Sequence, residues 1–443
     1  MVNISIVVSQ TELAQRQAAG PASLTALEER RSRRRIGVLV AGVLALWGPG
    51  LVVMLADTDA GSLVTAAQSG TRWGYRMVLP QLVLIPVLYV VQEMTVRLGI
   101  LTGKGHGALI RENFGRGWAL LSAGTLFASA IGALLSEFAG VAGVGQLFGV
   151  SPDITVPVAA AALVGIALTG SYNRAERIGI VLGLAELAFV PALVLAHPDV
   201  QAIGAGLVHM PLGSSSFDTL LAANVGAVIM PWMIFYQQGA VIDKGLRRAD
   251  LHGERRDTAL GAVLTQLVMV AFVLVFAATV GQTHPGTSLD TVGEMSRALR
   301  PFIDASGAKV ALGAAVLGAA LVAALVASLA GAWGISEVFG WHHSLNQRPN
   351  RRTAKFYTVY VMAHVLGAVV VLIGFNLVSL MIDVMVMNAL LLPIVLGFLL
   401  ALEARALPPE HRMKGPYRFA ATALCVVVIG FGLAMVPHVF GLF

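Results

Sequence analysis

Residues 36–56 form an apolar run, IGVLVAGVLALWGPGLVVMLA, and similar blocks recur along the chain between short polar loops. A helix of this length crosses the hydrocarbon core of a bilayer, since about 20 residues are needed. Only 12% of the residues are charged, which is about half the fraction that soluble domains carry. Continuous runs also argue against a β-barrel, whose strands alternate with a period of two. The pattern predicts an all-α polytopic membrane protein.

Windows of apolar residues predict about eleven membrane spans. Their approximate limits are 36–68, 74–97, 118–149, 153–170, 178–196, 218–241, 258–281, 309–338, 354–376, 378–402 and 417–440. Lys and Arg concentrate in the loops after the even-numbered spans, whereas 150–153 and 197–217 contain neither. Because cytoplasmic loops carry an excess of these residues, we expect a cell-membrane protein with a cytosolic N-terminus and an external C-terminus.

Residues 1–35 precede the first span, and we expect them to form a basic cytosolic tail. The tail ends in an arginine cluster: Arg30, Arg31, Arg33, Arg34 and Arg35. The formal net charge of +6 lies mainly in loops beside the spans. This distribution favours contact with a lipid bilayer over the binding of nucleic acid. The single cysteine, Cys425, excludes an internal disulfide.

Two of the predicted spans contain an internal break. The first is interrupted between Asp57 and Ser62, because Ala60-Gly61-Ser62 continues a helix poorly. The sixth is interrupted at Met230-Pro231, since proline lacks an N–H group and clashes with the preceding turn. Breaks at corresponding positions of two halves are typical of inverted-repeat transporters. The predicted units are a first repeat, 36–200, a second repeat, 201–403, and a linker with helix 11, 404–443.

Asp57 and Asp59 end the first apolar run, which holds no other charge. A carboxylate at membrane depth costs at least about 2.5–3.5 kcal/mol, and a second one beside it adds repulsion. The ordinary interpretation is that the pair caps the half-helices, but at this depth a cation site is favoured. Carboxylate oxygens suit Mg²⁺, Mn²⁺ or Ca²⁺. The hydroxyl of Ser62 is a further candidate ligand, and serine is equally ordinary as an N-cap.

The second break offers a sulfur atom and a carbonyl oxygen. Met230 alone is more often a packing residue than a ligand. Opposite the two aspartates, however, its thioether would favour Mn²⁺ and Fe²⁺ over Ca²⁺ and Mg²⁺. Pro231 leaves the carbonyl of Ala227 without its intrahelical partner, so we expect that oxygen to point to the same site.

Other polar residues lie inside predicted spans. Glu137 occurs in the apolar stretch IGALLSEFAGVAG, where a structural role and a role in conduction are equally consistent with its burial. Asp383, Asn388 and Gln237 are weaker candidates for lining a pathway. No nucleophile, base and orienting group occur together, so catalysis is not expected.

Short motifs in the first and sixth spans carry a family resemblance. Gly48-Pro49-Gly50 is followed by Asp59-Ala60-Gly61-Ser62, residues 226–231 read GAVIMP, and Glu137-Phe138 lies in the third span. With these motifs at these spacings, the chain resembles the NRAMP family of divalent-metal transporters over nearly its whole length. The resemblance implies a LeuT-like bundle of two inverted five-helix repeats, in which helices 1 and 6 are broken.

The resemblance also implies a set of metal contacts. They are the Asp59 carboxylate, the Met230 sulfur and the carbonyls of Ala56 and Ala227. Ser62 stands where the family has an asparagine ligand, and its shorter side chain is consistent with a bridging water. Asp57 stands where proton-coupled members have a neutral residue. Both departures are similar to the NRAMP-related magnesium transporters, whereas Met230 favours transition metals.

Three positions bear on proton coupling. Trp232 and Gln237 stand where the family has histidines, and Leu134 replaces an acidic residue of proton-coupled members. Tryptophan and leucine do not relay protons, and histidine is the natural carrier near neutral pH. We therefore hypothesise metal transport without obligatory proton co-transport.

The sequence thus predicts a transporter of Mg²⁺, Mn²⁺ or both by alternating access, with no cofactor besides the transported ion. A proton-coupled Mn²⁺ or Fe²⁺ transporter is one alternative. A symporter of amines or amino acids on the same scaffold is another, although Asp57 and Asp59 would repel a substrate carboxylate. A metal sensor that binds without transporting is a third.

Overall fold

The computed structural model describes residues 48–439, and within that range it contains helices and connecting turns but no β-strand. The α-helices are α1 (Pro49–Asp57), α2 (Ala60–Trp73), α3 (Val78–Thr102), α4 (His106–Phe114), α5 (Arg116–Leu147), α6 (Pro152–Leu168), α7 (Tyr172–Gly183), α8 (Val190–Ala196), α9 (Val200–Val208), α10 (Ser215–Val228), α11 (Pro231–Asp243), α12 (Leu251–Phe276), α13 (Val292–Ala298), α14 (Ala305–Phe339), α15 (Ala354–Leu372), α16 (Leu377–Ala406) and α17 (Gly415–Val439). Short 3₁₀ segments occupy Gly74–Met77, Leu184–Phe189, Arg248–Asp250 and Pro409–His411, and Ala277–Gly281 is a π-helical turn.

The described helices confirm the polytopic all-α fold. By length and composition, nine helical segments in the described range are long and apolar enough to cross a membrane. One of these segments, Ala60–Thr102, contains the end of the first predicted span and the whole of the second, and the shorter apolar helix Pro152–Leu168 accounts for another span. The predicted tail 1–35, the start of the first span and the last residues of the eleventh lie outside the described residues.

Several helix limits differ from the sequence prediction. The fifth span is not one continuous helix, because the 3₁₀ segment Leu184–Phe189 separates α7 from α8. The predicted loops 197–217 and 282–309 each contain a short helix, α9 and α13. The seventh helix begins at Leu251 rather than at 258, since its first turns carry charged residues that a hydropathy window excludes.

The two helix breaks are shorter than predicted. In the first, only Thr58 and Asp59 leave the helix, and the expected unwinding through Ser62 is wrong. Asp59 caps α2 with its side chain, and this cap allows the helix to resume at once. In the second, Ile229 and Met230 separate α10 from α11, which has Pro231 at its first position. Proline fits there because the first helical N–H has no intrahelical acceptor.

Close helix contacts hold the broken segments in place. A Cβ on Gly140 of α5 would lie 2.4 Å from the Cβ of Ala60, so glycine allows α5 to approach the start of α2. A Cβ on Gly226 of α10 would lie 1.9 Å from the carbonyl oxygen of Met385 on α16. At this second contact, backbone meets backbone without an intervening side chain.

Candidate metal-binding site

Asp59 lies at the first break, where the structure shows the capping role considered for it. Its Oδ1 accepts a hydrogen bond from the amide of Ser62 at 2.6 Å, which caps α2. Its Oδ2 is buried and has no hydrogen-bond partner among the described residues. One oxygen therefore fixes the helix, and the other remains available to a cation.

Ser62 joins the two breaks. Its hydroxyl donates a hydrogen bond of 2.9 Å to the carbonyl oxygen of Ala227, in the last turn of α10. The structure thus brings these two predicted contacts together, although they are 165 positions apart in the chain. Ala56 is fully buried in the last turn of α1, where carbonyl groups lack intrahelical partners.

Asp57 is the last residue of α1 and is 1% exposed. Neither of its carboxylate oxygens has a hydrogen-bond partner within residues 48–437. A buried carboxylate in this condition is costly unless a cation or a proton neutralises it. Asp57 is therefore the least satisfied acid in this part of the molecule.

Glu137 reaches the same break from α5. Its Oε2 accepts a hydrogen bond from the amide of Ala60 at 3.1 Å, and its side chain contacts that of Asp59. Its Oε1 is buried without a partner in the described range. Glu137 thus supports the start of α2 and also adds a second carboxylate beside Asp59.

Glu186 is a fourth buried acid that the sequence prediction missed. It lies in the 3₁₀ segment between α7 and α8 and is 1% exposed. The hydroxyl of Thr58 hydrogen-bonds to Glu186 Oε2 and lies 3.2 Å from the carbonyl oxygen of Leu55. A signal was present, because Glu186 is the only acidic residue in the predicted span 178–196, as Glu137 is in its own span.

These four carboxylates form what we call the acid cluster: Asp57, Asp59, Glu137 and Glu186. None of them forms an ion pair with a Lys, Arg or His of the described chain. No three His, Cys, Asp or Glu side chains in that part lie close enough together to hold one ion. An ion at the break would thus take one or two carboxylates and complete its shell with hydroxyl, carbonyl, water or sulfur ligands.

Two methionine side chains supply sulfur near the break. Met230 is fully buried at the N-cap of α11. Met385 of α16 was missed from the sequence, and its Sδ lies 3.9 Å from the Ser62 hydroxyl. A Cβ on Gly61 would lie 2.6 Å from the Met385 methyl carbon, so this side chain packs directly on the first turn of α2. The methionine-rich stretch MIDVMVMN gave only a weak signal for it.

The predicted pathway residues are dispersed. Trp232 is fully buried near the break, and its ring N–H has no hydrogen-bond partner within the described residues. Gln237 donates a hydrogen bond of 3.3 Å to Glu254, which also accepts from the amide of Gly50 at 2.8 Å. Gln237 therefore contacts the group that holds the start of α1, well away from the break.

The two candidates on α16 differ. Asn388 is buried, and its Oδ1 accepts a hydrogen bond of 2.8 Å from the Ser129 hydroxyl on α5. Asp383 is exposed on the surface of the helix, so the structure does not place it along a buried pathway.

A bundle of apolar helices, with two of them broken at adjoining points and polar groups at the breaks, defines a multi-pass transporter of the LeuT-like class. Solved structures support this fold. A manganese transporter of Eremococcus coleocola aligns with a TM-score of 0.73 at 15% identity, covering 90% of this chain and 87% of that one. Mhp1, a nucleobase-cation-symport-1 family transporter, aligns with a TM-score of 0.58 at 16% identity, covering 88% and 91%.

The family follows from the sequence itself. The model of the natural resistance-associated macrophage protein-like family, Nramp, matches residues 50–437, and this chain belongs to that family. The divalent metal cation transporter MntH of Burkholderia ambifaria is 24% identical, with 94% of this chain and 92% of that protein covered. MntH of Yersinia pestis is 29% identical, with coverage of 65% and 71%. The predicted family, the LeuT-like fold and the assignment as a membrane transporter rather than an enzyme are confirmed.

Proposed function

We propose that this chain carries divalent metal ions across the membrane, with Mn²⁺ as the preferred ion and Asp59 as its anchor. The observation that supports this most directly is the unpartnered Oδ2 of Asp59, buried beside the Ser62–Ala227 bond that joins the two breaks. The carbonyl ends of α1 and α10 at the breaks offer further oxygen ligands.

The sulfur atoms favour Mn²⁺ over Mg²⁺. Met230 lies at the second break as the N-cap of α11, and Met385 of α16 contacts Ser62 at the first. Mg²⁺ is bound through oxygen and keeps several waters, whereas thioethers suit softer transition metals. The sequence relatives named above are divalent metal cation transporters, and one of the structural neighbours is a manganese transporter. The short Ser62 side chain leaves Mg²⁺ as a competing substrate, bound through water.

We further propose that transport proceeds by alternating access and without obligatory proton co-transport. Half-helices at a central site are the arrangement around which such transporters rock. Trp232 and Gln237, where histidine would relay protons, are both buried, and neither side chain titrates. The cell membrane, the cytosolic N-terminus and the division into repeats at 36–200 and 201–403 belong to the same proposal.

A proton-coupled Mn²⁺ transporter is the second candidate, and one observation favours it. Glu137 and Glu186 add two carboxylates to Asp57 and Asp59, but one divalent ion neutralises only two negative charges. The other two charges require protons or a second cation, because buried carboxylates do not remain ionised without a partner. The acid cluster disfavours an amino-acid symporter, since it would repel the substrate carboxylate.

Purified protein in liposomes tests the proposal. Wild type should accumulate Mn²⁺, and Asp59→Ala should abolish both the uptake and the calorimetric signal of Mn²⁺ binding. Asp290→Ala, an exposed acid in the loop after α12, removes the same charge and should leave both unchanged. Undiminished Mn²⁺ uptake by Asp59→Ala would contradict the anchor, and binding without accumulation would identify a sensor.

The coupling question uses the same liposomes with a pH dye inside. Without obligatory coupling, Mn²⁺ uptake should leave the internal pH unchanged. Acidification that appears only when Mn²⁺ is added would favour the second candidate. In that case Glu186→Gln should reduce the acidification more than it reduces metal binding.

A further inference from the structure

A basic cavity lies at the end of α3, and none of its lining residues belongs to the proposed metal site. Its volume is about 430 Å³, and it is enclosed by the end of α3, the turn before α12 and the segment between α16 and α17. The basic side chains that line it are Arg97, Arg248, His252, Arg255, His411, Arg412 and Lys414. Of its described lining residues, only Glu410 is acidic. These residues define the basic cavity.

Part of this positive charge is already neutralised. Arg255 pairs with Glu93 at 2.6 Å, and Arg97 pairs with Glu403 at 3.1 Å. The formal charges of these four side chains sum to zero, so the two pairs leave no net positive charge to attract a ligand.

The rest of the positive charge has no acidic partner within residues 48–437. Arg248 and Lys414 are exposed, and their side chains form no ion pair or hydrogen bond there. The Nε of Arg412 donates a hydrogen bond of 2.8 Å to the carbonyl oxygen of Leu407, and the two terminal nitrogens of the guanidinium group remain available. Three cationic groups from two separate connections thus converge on one concave space.

We propose that the basic cavity binds a phosphate group, carried either by an anionic phospholipid or by a soluble phosphate compound. Guanidinium groups recognise phosphate oxygens with paired N–H donors, and lysine adds a mobile point charge. The volume lies within the range of small-molecule pockets. The connections involved follow even-numbered spans, which the positive-inside rule assigns to the anionic cytoplasmic leaflet, where basic pockets between helices bind lipid head groups.

A double variant with a matched control tests this proposal. Arg248→Ala/Lys414→Ala removes two exposed charges from the cavity. Arg351→Ala/Arg352→Ala removes two exposed charges from the loop between α14 and α15, which does not line the cavity. All proteins are placed in nanodiscs of phosphatidylcholine alone, with added phosphatidylglycerol, or with inorganic phosphate in the buffer. Native mass spectrometry measures the bound lipid, and calorimetry measures the bound phosphate.

Wild type should retain phosphatidylglycerol over phosphatidylcholine, or bind inorganic phosphate, and either result identifies the source of the group. The cavity variant should lose at least about tenfold in affinity, because each surface Lys or Arg contributes about 1 kcal/mol toward an anionic lipid. The control should retain wild-type affinity. The proposal is overturned if wild type binds neither probe, or if both double variants lose binding equally. Mn²⁺ binding should stay unchanged throughout, so the result is independent of the proposed metal transport.

Discussion

Two groups of buried charges can be compared in this molecule, and they are built in opposite ways. The acid cluster at the first helix break has no cationic partner in the described chain. A second group, which we call the paired cluster, balances each acid with a base. It consists of Glu93, Arg97, Arg255 and Glu403.

In the paired cluster, nearly every polar atom has a partner. Glu93 accepts hydrogen bonds from Nε and Nη2 of Arg255 at 2.8 and 2.6 Å, and from the hydroxyl of Tyr417 at 2.9 Å. Arg97 donates to Glu403 and to the carbonyl oxygen of His411. These bonds tie α3 to α12, α16 and α17, so the charges act as fixed links between helices.

The difference indicates which charges serve structure and which serve a mobile ligand. A buried charge that is fully paired holds helices together, and it has no capacity left for an ion. A buried charge without a partner destabilises the protein until a ligand arrives. Removing one acid should therefore have opposite effects on stability in the two clusters.

The largest change in the free energy of unfolding is expected for a substitution in the paired cluster. Glu93→Gln should lower the free energy of unfolding by about 3–5 kcal/mol, because it leaves Arg97 buried with an incomplete set of partners. Denaturation by SDS in mixed micelles measures this change. Glu410→Gln, an exposed acid at the same end, serves as the control and should be neutral. Equal stability of Glu93→Gln and wild type would show that the pairing is incidental.

In the acid cluster, removal of one acid is expected to raise the free energy of unfolding. Asp57→Asn should raise the free energy of unfolding of the metal-free protein by about 1–2 kcal/mol, since a neutral amide needs neither a proton nor a cation to be buried beside Asp59. The same denaturation measurement applies, with and without Mn²⁺. Saturating Mn²⁺ should shrink the gain, because the ion neutralises the wild-type acids. A destabilised Asp57→Asn would contradict the interpretation of Asp57 as an unsatisfied acid.

A smaller effect is expected on ion preference. The double variant Met230→Leu/Met385→Leu keeps the side-chain volume and removes both sulfur atoms, so the preference for Mn²⁺ over Mg²⁺ should fall about tenfold, or about 1.4 kcal/mol. Competition of Mg²⁺ with Mn²⁺ uptake measures this ratio. Met362→Leu, at an exposed position of α15, is the matched control. An unchanged ratio would remove sulfur from the proposed ligand set.

The smallest effect is expected at Asp383. Because this side chain is exposed on α16, Asp383→Asn should change neither the free energy of unfolding, within about 0.5 kcal/mol, nor the rate of Mn²⁺ uptake. Uptake at saturating and at low Mn²⁺ provides the measurement. A clear loss at low Mn²⁺ alone would support the role in lining a pathway that the sequence predicted for Asp383.

The sequence predicted the fold well because membrane insertion depends on features that are local in the chain. Apolar length placed the spans, and Pro231 placed the second break within one residue. The first break was predicted too long, since the sequence does not show that the Asp59 side chain bonds the amide of Ser62 and restarts the helix. The division of the fifth span also depends on packing that no local pattern records.

The site was predicted only in part, because contacts between distant parts of the chain are not visible in a local sequence pattern. The sequence placed Ser62 and Ala227 at one site because both residues flank visible breaks, but it did not predict the hydrogen bond between them. Met385 and Glu186 were missed, since each reaches the break from another helix whose position depends on the tertiary fold. A lone acid in an apolar span remains a usable signal, and applying it uniformly would have found Glu186.

The contact at Gly226 has a mechanical consequence. The main chain of this glycine lies directly against the main chain of α16 at Met385. No side chain lies between the two helices there that could change rotamer if one helix moved along the other. This close approach limits how far α10 can slide past α16 at this point. Under the proposed alternating access, α10 must therefore either open this contact or carry α16, and with it the Met385 side chain, along.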